Sequence, residues 1–293
     1  MVFLQQNLKE MISNIIYTVF LKIFFFYIKL LRTKNVNIIL KNFELNFENI
    51  NFENIQNLKK IFLSKKYFNN NKIEKKDLLY HTFDWLLAAR KMGGVQSINI
   101  SKKNIFNWIN NKYSSHSLAW DINIASKRII NLLYYYDIYS QNFNKKEDKI
   151  LSKIIFIHFK YIKFNINYFN ETTLPISSTK ACLILFFIFK QDTKKLNNKI
   201  LSQIKYYVDS NNVHKSYNPL LQAEFINDLY EIKNMYLYFN EDLPEEINYF
   251  IYNMTCVLSD FFHKDGSIAL FNGSNNLNLK LINKIVNQVD NIK

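Results

Sequence analysis

Two short groups of side chains in this 293-residue sequence are of the types that move protons or grip anions. The first is the turn V-H-K-S-Y-N-P-L-L, where His214 and Tyr217 stand three residues apart and Asn218 precedes Pro219. A histidine and a tyrosine held on one turn can act as base and acid in a proton transfer. The same residues also have a purely architectural use. His214 can brace the turn, and Asn218 can cap the helix that Pro219 opens. The second group is Trp120 and Arg128 in W-D-I-N-I-A-S-K-R-I-I-N-L-L, an aromatic platform and a guanidinium suited to a carboxylate. Against that stands a packing role, with Trp120 between helices and Arg128 paired to Asp121 or Asp84.

The remaining histidines and both cysteines read more plainly. His158 falls on an apolar helical face, as a satisfied core histidine does. His81 and His116 border helix ends and read as surface residues. His263 and Asp265 precede a turn and are too few to hold a metal. Cys182 and Cys256 lack a paired cysteine or a nearby histidine, so two free, buried thiols are expected. No metal and no cofactor is expected. The sequence has no Gly-rich phosphate loop, H-E-x-x-H or nucleophile elbow, which disfavours nucleotide-dependent enzymes, zinc hydrolases and serine hydrolases.

Helices must position these residues. Apolar residues recur at helical spacing through Leu118, Ile122, Ala125, Ile129, Leu132 and Tyr136, and again through Leu151, Ile155, His158 and Ile162. A helix over 81–92 is expected to end at Gly93-Gly94, and Ser101 to cap the next one. Residues 181–189 are apolar all round, which predicts a helix buried on every side and too short to span a bilayer. Helices over 221–235 and 244–262 complete the series. Helices of two kinds, buried and amphipathic, joined by short loops predict an inner and an outer layer, in a solenoid or an α/α toroid. The segment H-K-D-G-S-I-A-L-F-N-G-S then changes register, with residues 267–271 alternating like a strand between two turns.

Composition limits the partners. The chain is 48% hydrophobic and 16% aromatic, enough for a large core. Its formal charge of +14 comes almost entirely from lysine, with arginine only at Arg32, Arg90 and Arg128. The lysines form scattered pairs rather than a patch, and AT-rich codons account for their abundance, so no nucleic-acid partner is expected. The converse ranks residues with GC-rich codons for attention: Trp85, Arg90, Gly93-Gly94, Trp120, Arg128, Pro219, Gly266 and Gly273. Residues 15–31 are strongly apolar but carry Lys22 and Lys29, and no cleavage site follows. A packing helix is favoured there, with membrane-surface contact the alternative and a cleavable signal peptide disfavoured.

Four segments together resemble the N-terminal helical domain of the heparinase II/III-like polysaccharide lyases. They are H-T-F-D-W-L-L-A-A-R-K-M-G-G from His81, W-D-I-N-I-A-S-K-R-I-I-N-L-L from Trp120, V-H-K-S-Y-N-P-L-L-Q-A-E-F-I-N-D-L-Y-E-I-K from Val213, and the register-changing segment from His263. The resemblance implies an all-α chain built as an α/α toroid, an incomplete (α/α)n barrel of antiparallel helix pairs. The toroid would occupy residues 78–274, with a short β-like segment near 267–271. An apolar helix (1–34), an irregular polar segment (35–77) and a partly helical tail (275–293) would flank it.

The resemblance also implies β-elimination on a uronic-acid polysaccharide. His214 and Tyr217 would be the catalytic pair, and Trp120, Arg128, Asn170 and Asn218 the substrate contacts. Two departures count against independent catalysis. The stretch Y-F-N-E-T-T-L-P-I-S-S-T-K-A-C offers Asn170 but no histidine to pair with it. The β-sandwich that follows the toroid in the family is missing after residue 267. The expectation is therefore the toroid half of a lyase, inactive alone, whose β-sandwich is encoded separately or lost by truncation. The alternatives are a non-catalytic carbohydrate-binding toroid, or a membrane-surface protein acting through 15–31.

Overall fold

A computed structural model describes residues 62–63, 78–110, 118–168, 174–264, 267–274 and 285. The expectations for 1–34, 35–77 and 275–293 thus lie almost wholly outside the described residues, as do those for His116, Asn170 and Asp265. Among the described residues there are ten α-helices and no β-strand. In chain order the helices are α1 (Leu78–Thr82), α2 (Trp85–Met92), α3 (Gly94–Asn110), α4 (Ile122–Tyr134) and α5 (Tyr136–Tyr139). Then come α6 (Lys145–Tyr168), α7 (Ile176–Ile188), α8 (Lys194–Tyr207), α9 (Pro219–Phe239) and α10 (Glu245–Asp260).

The helices form two layers. Along the inner row α1 packs on α4, α4 on α7, and α7 on α9. In the outer row α6 bridges α4 and α7, α8 lies against α7, and α10 lies against α9 and α8. This is the alternating inner and outer order of an α/α toroid. Burial explains it. Every residue from Ser178 to Phe187 on α7 is buried, so that helix needs neighbours on all sides. α8 buries only Leu196, Ile200, Gln203 and Ile204, a single stripe facing inward. No helix among the described residues is long and apolar enough to cross a membrane.

Local signals hold in most places. Asp121 caps α4, its Oδ1 accepting from the N–H groups of Asn123 and Ile124 at 3.0 and 3.2 Å. Gly93, at φ 61, ends α2 with its N–H on Ala89 O, as the glycine pair predicts. Three expectations need correction. The helix over 81–92 is broken, because Phe83 takes φ 63 while its ring is buried against Trp85 and Trp108. Burial of that ring outweighs the backbone preference of one residue. Ser101 lies inside α3, buried, and caps nothing. The alternating segment at 267–271 forms one antiparallel bridge, Phe262 to Ile268, and Ile268 is buried while Leu270 and Phe271 are exposed.

Candidate functional site

The sequence-derived candidates fall into two separate places. Trp120 and Arg128 are core residues, with 1% and 0% of their surface exposed. Arg128 Nε donates to His158 Nε2 at 3.0 Å, and Nη1 donates to the carbonyl of His81 at 3.0 Å. Its guanidinium carbon sits 4.4 Å from the ring centre of Trp108 and 5.1 Å from that of Trp120. The expected partners Asp121 and Asp84 are engaged elsewhere, Asp121 on the start of α4 and Asp84 with Thr82 and Asn131.

Among the described residues this cation therefore has no carboxylate, and burial brings its pKa down to about 9. His158 accepts at Nε2 and so carries its proton on Nδ1, which reaches Ile154 O at 2.8 Å. Burial and the Arg128 charge hold His158 well below the usual histidine range, so it is neutral, as a core histidine should be. His81 is buried too, with Nδ1 accepting from Trp108 Nε1 at 3.2 Å, which corrects the surface reading. Cys182 is buried and Cys256 half-buried, both free.

His214, Tyr217 and Asn218 do come together, in the turn between α8 and α9. The His214 ring is stacked on Tyr207 with centroids 5.8 Å apart, and burial lowers its pKa. Its Nδ1 accepts from the Ser216 N–H at 3.2 Å, so the neutral ring carries its proton on Nε2. Tyr217, at φ 51 and half exposed, donates its hydroxyl to Asp209 Oδ2 at 3.3 Å. Asn218 Oδ1 caps α9 through the Leu221 N–H at 3.1 Å.

Two amides then tie this turn to the one after α10. Asn218 Nδ2 donates to Asn272 O, and Asn272 Nδ2 donates to Tyr217 O, both at 2.9 Å. Gln222, buried on α9, accepts from His214 N–H and donates to Asn212 O and Met254 O. Asn218→Ala removes a cap and a cross-tie together, and should cost about 1–2 kcal/mol in urea unfolding. A change below ~0.5 kcal/mol would mean the turn is held without it.

A third place went unnoticed in the sequence. A cavity of about 560 Å³ opens between the inner helices, lined by Lys127, Asn131 and Tyr134 of α4 and Tyr135 just after it, Ser177 and Lys180 of α7, and Glu224, Asn227, Asp228 and Glu231 of α9, with Asp84. None of Trp120, Arg128, His214, Tyr217 or Asn218 lines it. Its wall is a connected polar network. Lys180 Nζ contacts Asp228 Oδ1 at 2.5 Å and also Glu231 Oε2. Asn227 donates to Glu231 Oε1 at 3.0 Å, and Tyr134 hydroxyl reaches Glu231 Oε2 at 3.5 Å. Asn131 Nδ2 donates to Asp84 Oδ1 at 2.8 Å and to Thr82 O at 2.9 Å.

Burial raises the Glu231 pKa to about 7 despite Lys180, and raises that of Tyr134 well above the phenol range. Burial disfavours the Lys180 cation, but the two carboxylates outweigh it and its pKa rises. Two signals were available in the sequence. Lys180 is the single charge in the otherwise uncharged helix I-S-S-T-K-A-C-L-I-L-F-F-I. Asp228 and Glu231 stand three apart, hence on one helical face.

No family model and no curated protein sequence matches the chain. Among solved structures, heparan sulfate lyase HepC of Pedobacter heparinus is similar in fold, with a TM-score of 0.53 over 83% of this chain at 11% identity. The chain spans less than half of that protein, 43% of its length. The likeness establishes the class of architecture, an all-α fold of the α/α-toroid kind.

Proposed function

We propose that this chain is a carbohydrate-binding toroid of the lyase type, which holds a saccharide between α4, α7 and α9 and does not eliminate by itself. One observation carries this reading: the cavity lies along the inner row of helices and presents donors and acceptors in a ring of fixed partners. Asn131, Ser177, Asn227 and the acidic side chains suit hydroxyl arrays, and Tyr134 and Tyr135 add aromatic surface. The fold it shares with HepC, a heparan sulfate lyase by name, supports a polysaccharide as the ligand class.

Elimination from a uronic-acid chain needs a group that neutralises the carboxylate, a base for the C5 proton and an acid for the leaving oxygen. His214 and Tyr217 remain the pair proposed for the last two roles on an acidic polysaccharide. As arranged, His214 Nε2 holds a proton and Tyr217 is spent on Asp209, so the turn offers no free base. Incubation with uronic-acid polysaccharides should therefore give no ultraviolet absorbance from unsaturated product. If absorbance rises and His214→Ala or Tyr217→Phe removes it, the chain is a lyase after all.

Binding is tested by calorimetric titration with a panel of neutral, acidic and amino-sugar oligosaccharides. Ser177 lines the cavity and is half-buried, and its hydroxyl donates to Asn123 Oδ1 at 2.9 Å. Ser177→Trp should fill the space and abolish binding with little change in melting temperature. Absence of binding across the whole panel would overturn the proposal.

A further inference from the structure

We propose that the cavity selects a saccharide bearing a free ammonium group, an amino sugar, over a uronic-acid chain; the proposal rests on the carbohydrate reading above. Four acidic side chains line the cavity, Asp84, Glu224, Asp228 and Glu231, against two lysines, Lys127 and Lys180. This local excess of acid stands inside a chain whose formal charge is +14.

Lys180 cannot serve an anionic ligand, because Asp228 and Glu231 already hold it. No arginine lines the space, and Arg128 is enclosed between Trp108 and Trp120. Among the described residues, a uronate carboxylate entering here would meet Lys127 as the one lining cation outside that cluster, facing a wall rich in acceptors. An ammonium group finds the opposite, with the carboxylates of Asp84 and Glu224 outside the Lys180 cluster and a net excess of acid in the lining. Each unit of charge is worth roughly tenfold or more in affinity at this range.

The cation we propose is an organic one. Among the described residues no three acidic, histidine or cysteine side chains converge to hold a metal ion. Asp228 and Glu231 meet at Lys180, while Asp84 is tied to Thr82 and Asn131 and Glu224 stands exposed at the rim, an arrangement that suits charges carried at intervals on a larger molecule. A polyamine shares the ammonium chemistry, but it offers no hydroxyls for Asn131, Ser177 and Asn227.

The experiment is calorimetric titration of the full chain with four probes: a glucosamine oligomer, its N-acetylated counterpart, a glucuronate-containing oligomer and spermidine. The glucosamine oligomer should bind at least about tenfold tighter than each of the other three. Asp228→Asn should erase its advantage over the N-acetylated oligomer, and Glu224→Gln, at the exposed rim, should reduce it without risk to the core.

An N-acetylated or glucuronate oligomer that binds as tightly, and is blocked by Ser177→Trp, overturns this inference and leaves the carbohydrate reading standing. Spermidine binding as tightly as the glucosamine oligomer overturns it as well, since the sugar ring would then contribute nothing. If none of the three oligosaccharides binds, the inference and the carbohydrate reading fall together.

Discussion

Arg128→Ala should lose about 3 kcal/mol of stability, whereas Arg128→Met should lose less than about 1 kcal/mol. Alanine opens a hole between two indoles and strips His158 Nε2 and His81 O of their donor. Methionine refills most of that volume and removes a buried cation that, among the described residues, has no carboxylate beside it. The relief of desolvation offsets the two lost hydrogen bonds. Arg128→Lys should resemble alanine more than methionine, because an ammonium can neither stack flat on Trp108 nor reach both acceptors. Urea unfolding of the three variants gives the order directly. If methionine is as damaging as alanine, the guanidinium's hydrogen bonds outweigh the charge it brings inside.

The second large effect lies in the cavity wall. Lys180→Met leaves Asp228 and Glu231 without the cation that joins them, and should cost about 3–5 kcal/mol at neutral pH. The loss must shrink in acid. Glu231 has a folded-state pKa of about 7, above its ordinary 4.5, so between those values the folded chain binds more protons than the unfolded one. Stability contributed by this group is complete below pH 4.5 and declines as pH rises through 7, by at most ~3 kcal/mol. Removing Lys180 raises that pKa further and extends the decline to higher pH. Glu231→Gln should flatten the profile between pH 4.5 and 7 in both backgrounds. A pH-independent cost for Lys180→Met would show that Glu231 does not titrate in the folded chain.

Helix positions were legible because their causes are local. The stripe through Ile129 and Leu132 specifies α4 with no knowledge of what lies across from it. The layered arrangement was legible for a similar reason, since a helix as uniformly apolar as α7 must be surrounded. The site was less so. Trp120 and Arg128 have the residue types of a carboxylate clamp, but whether they face solvent depends on α3 and α6, which bring Trp108 and His158 over them. Nothing within Trp120's own segment encodes that. The cavity depends on four segments, with Asp84, Asn131, Lys180 and Asp228 spread over nearly 150 residues, and only tertiary packing makes them neighbours. The break at Phe83 escaped notice because a phenylalanine with positive φ carries no mark in sequence.

The paired amides of Asn218 and Asn272 have a consequence for how the chain is made. Translation delivers α9 long before residue 272 leaves the ribosome, so the helix begins its existence with its entry turn unlatched. A nascent chain stalled or cut ahead of that asparagine would hold the ten described helices and still lack the tie between Asn272 and the turn that opens α9. The turn after α10 thus acts as a latch on helices assembled before it.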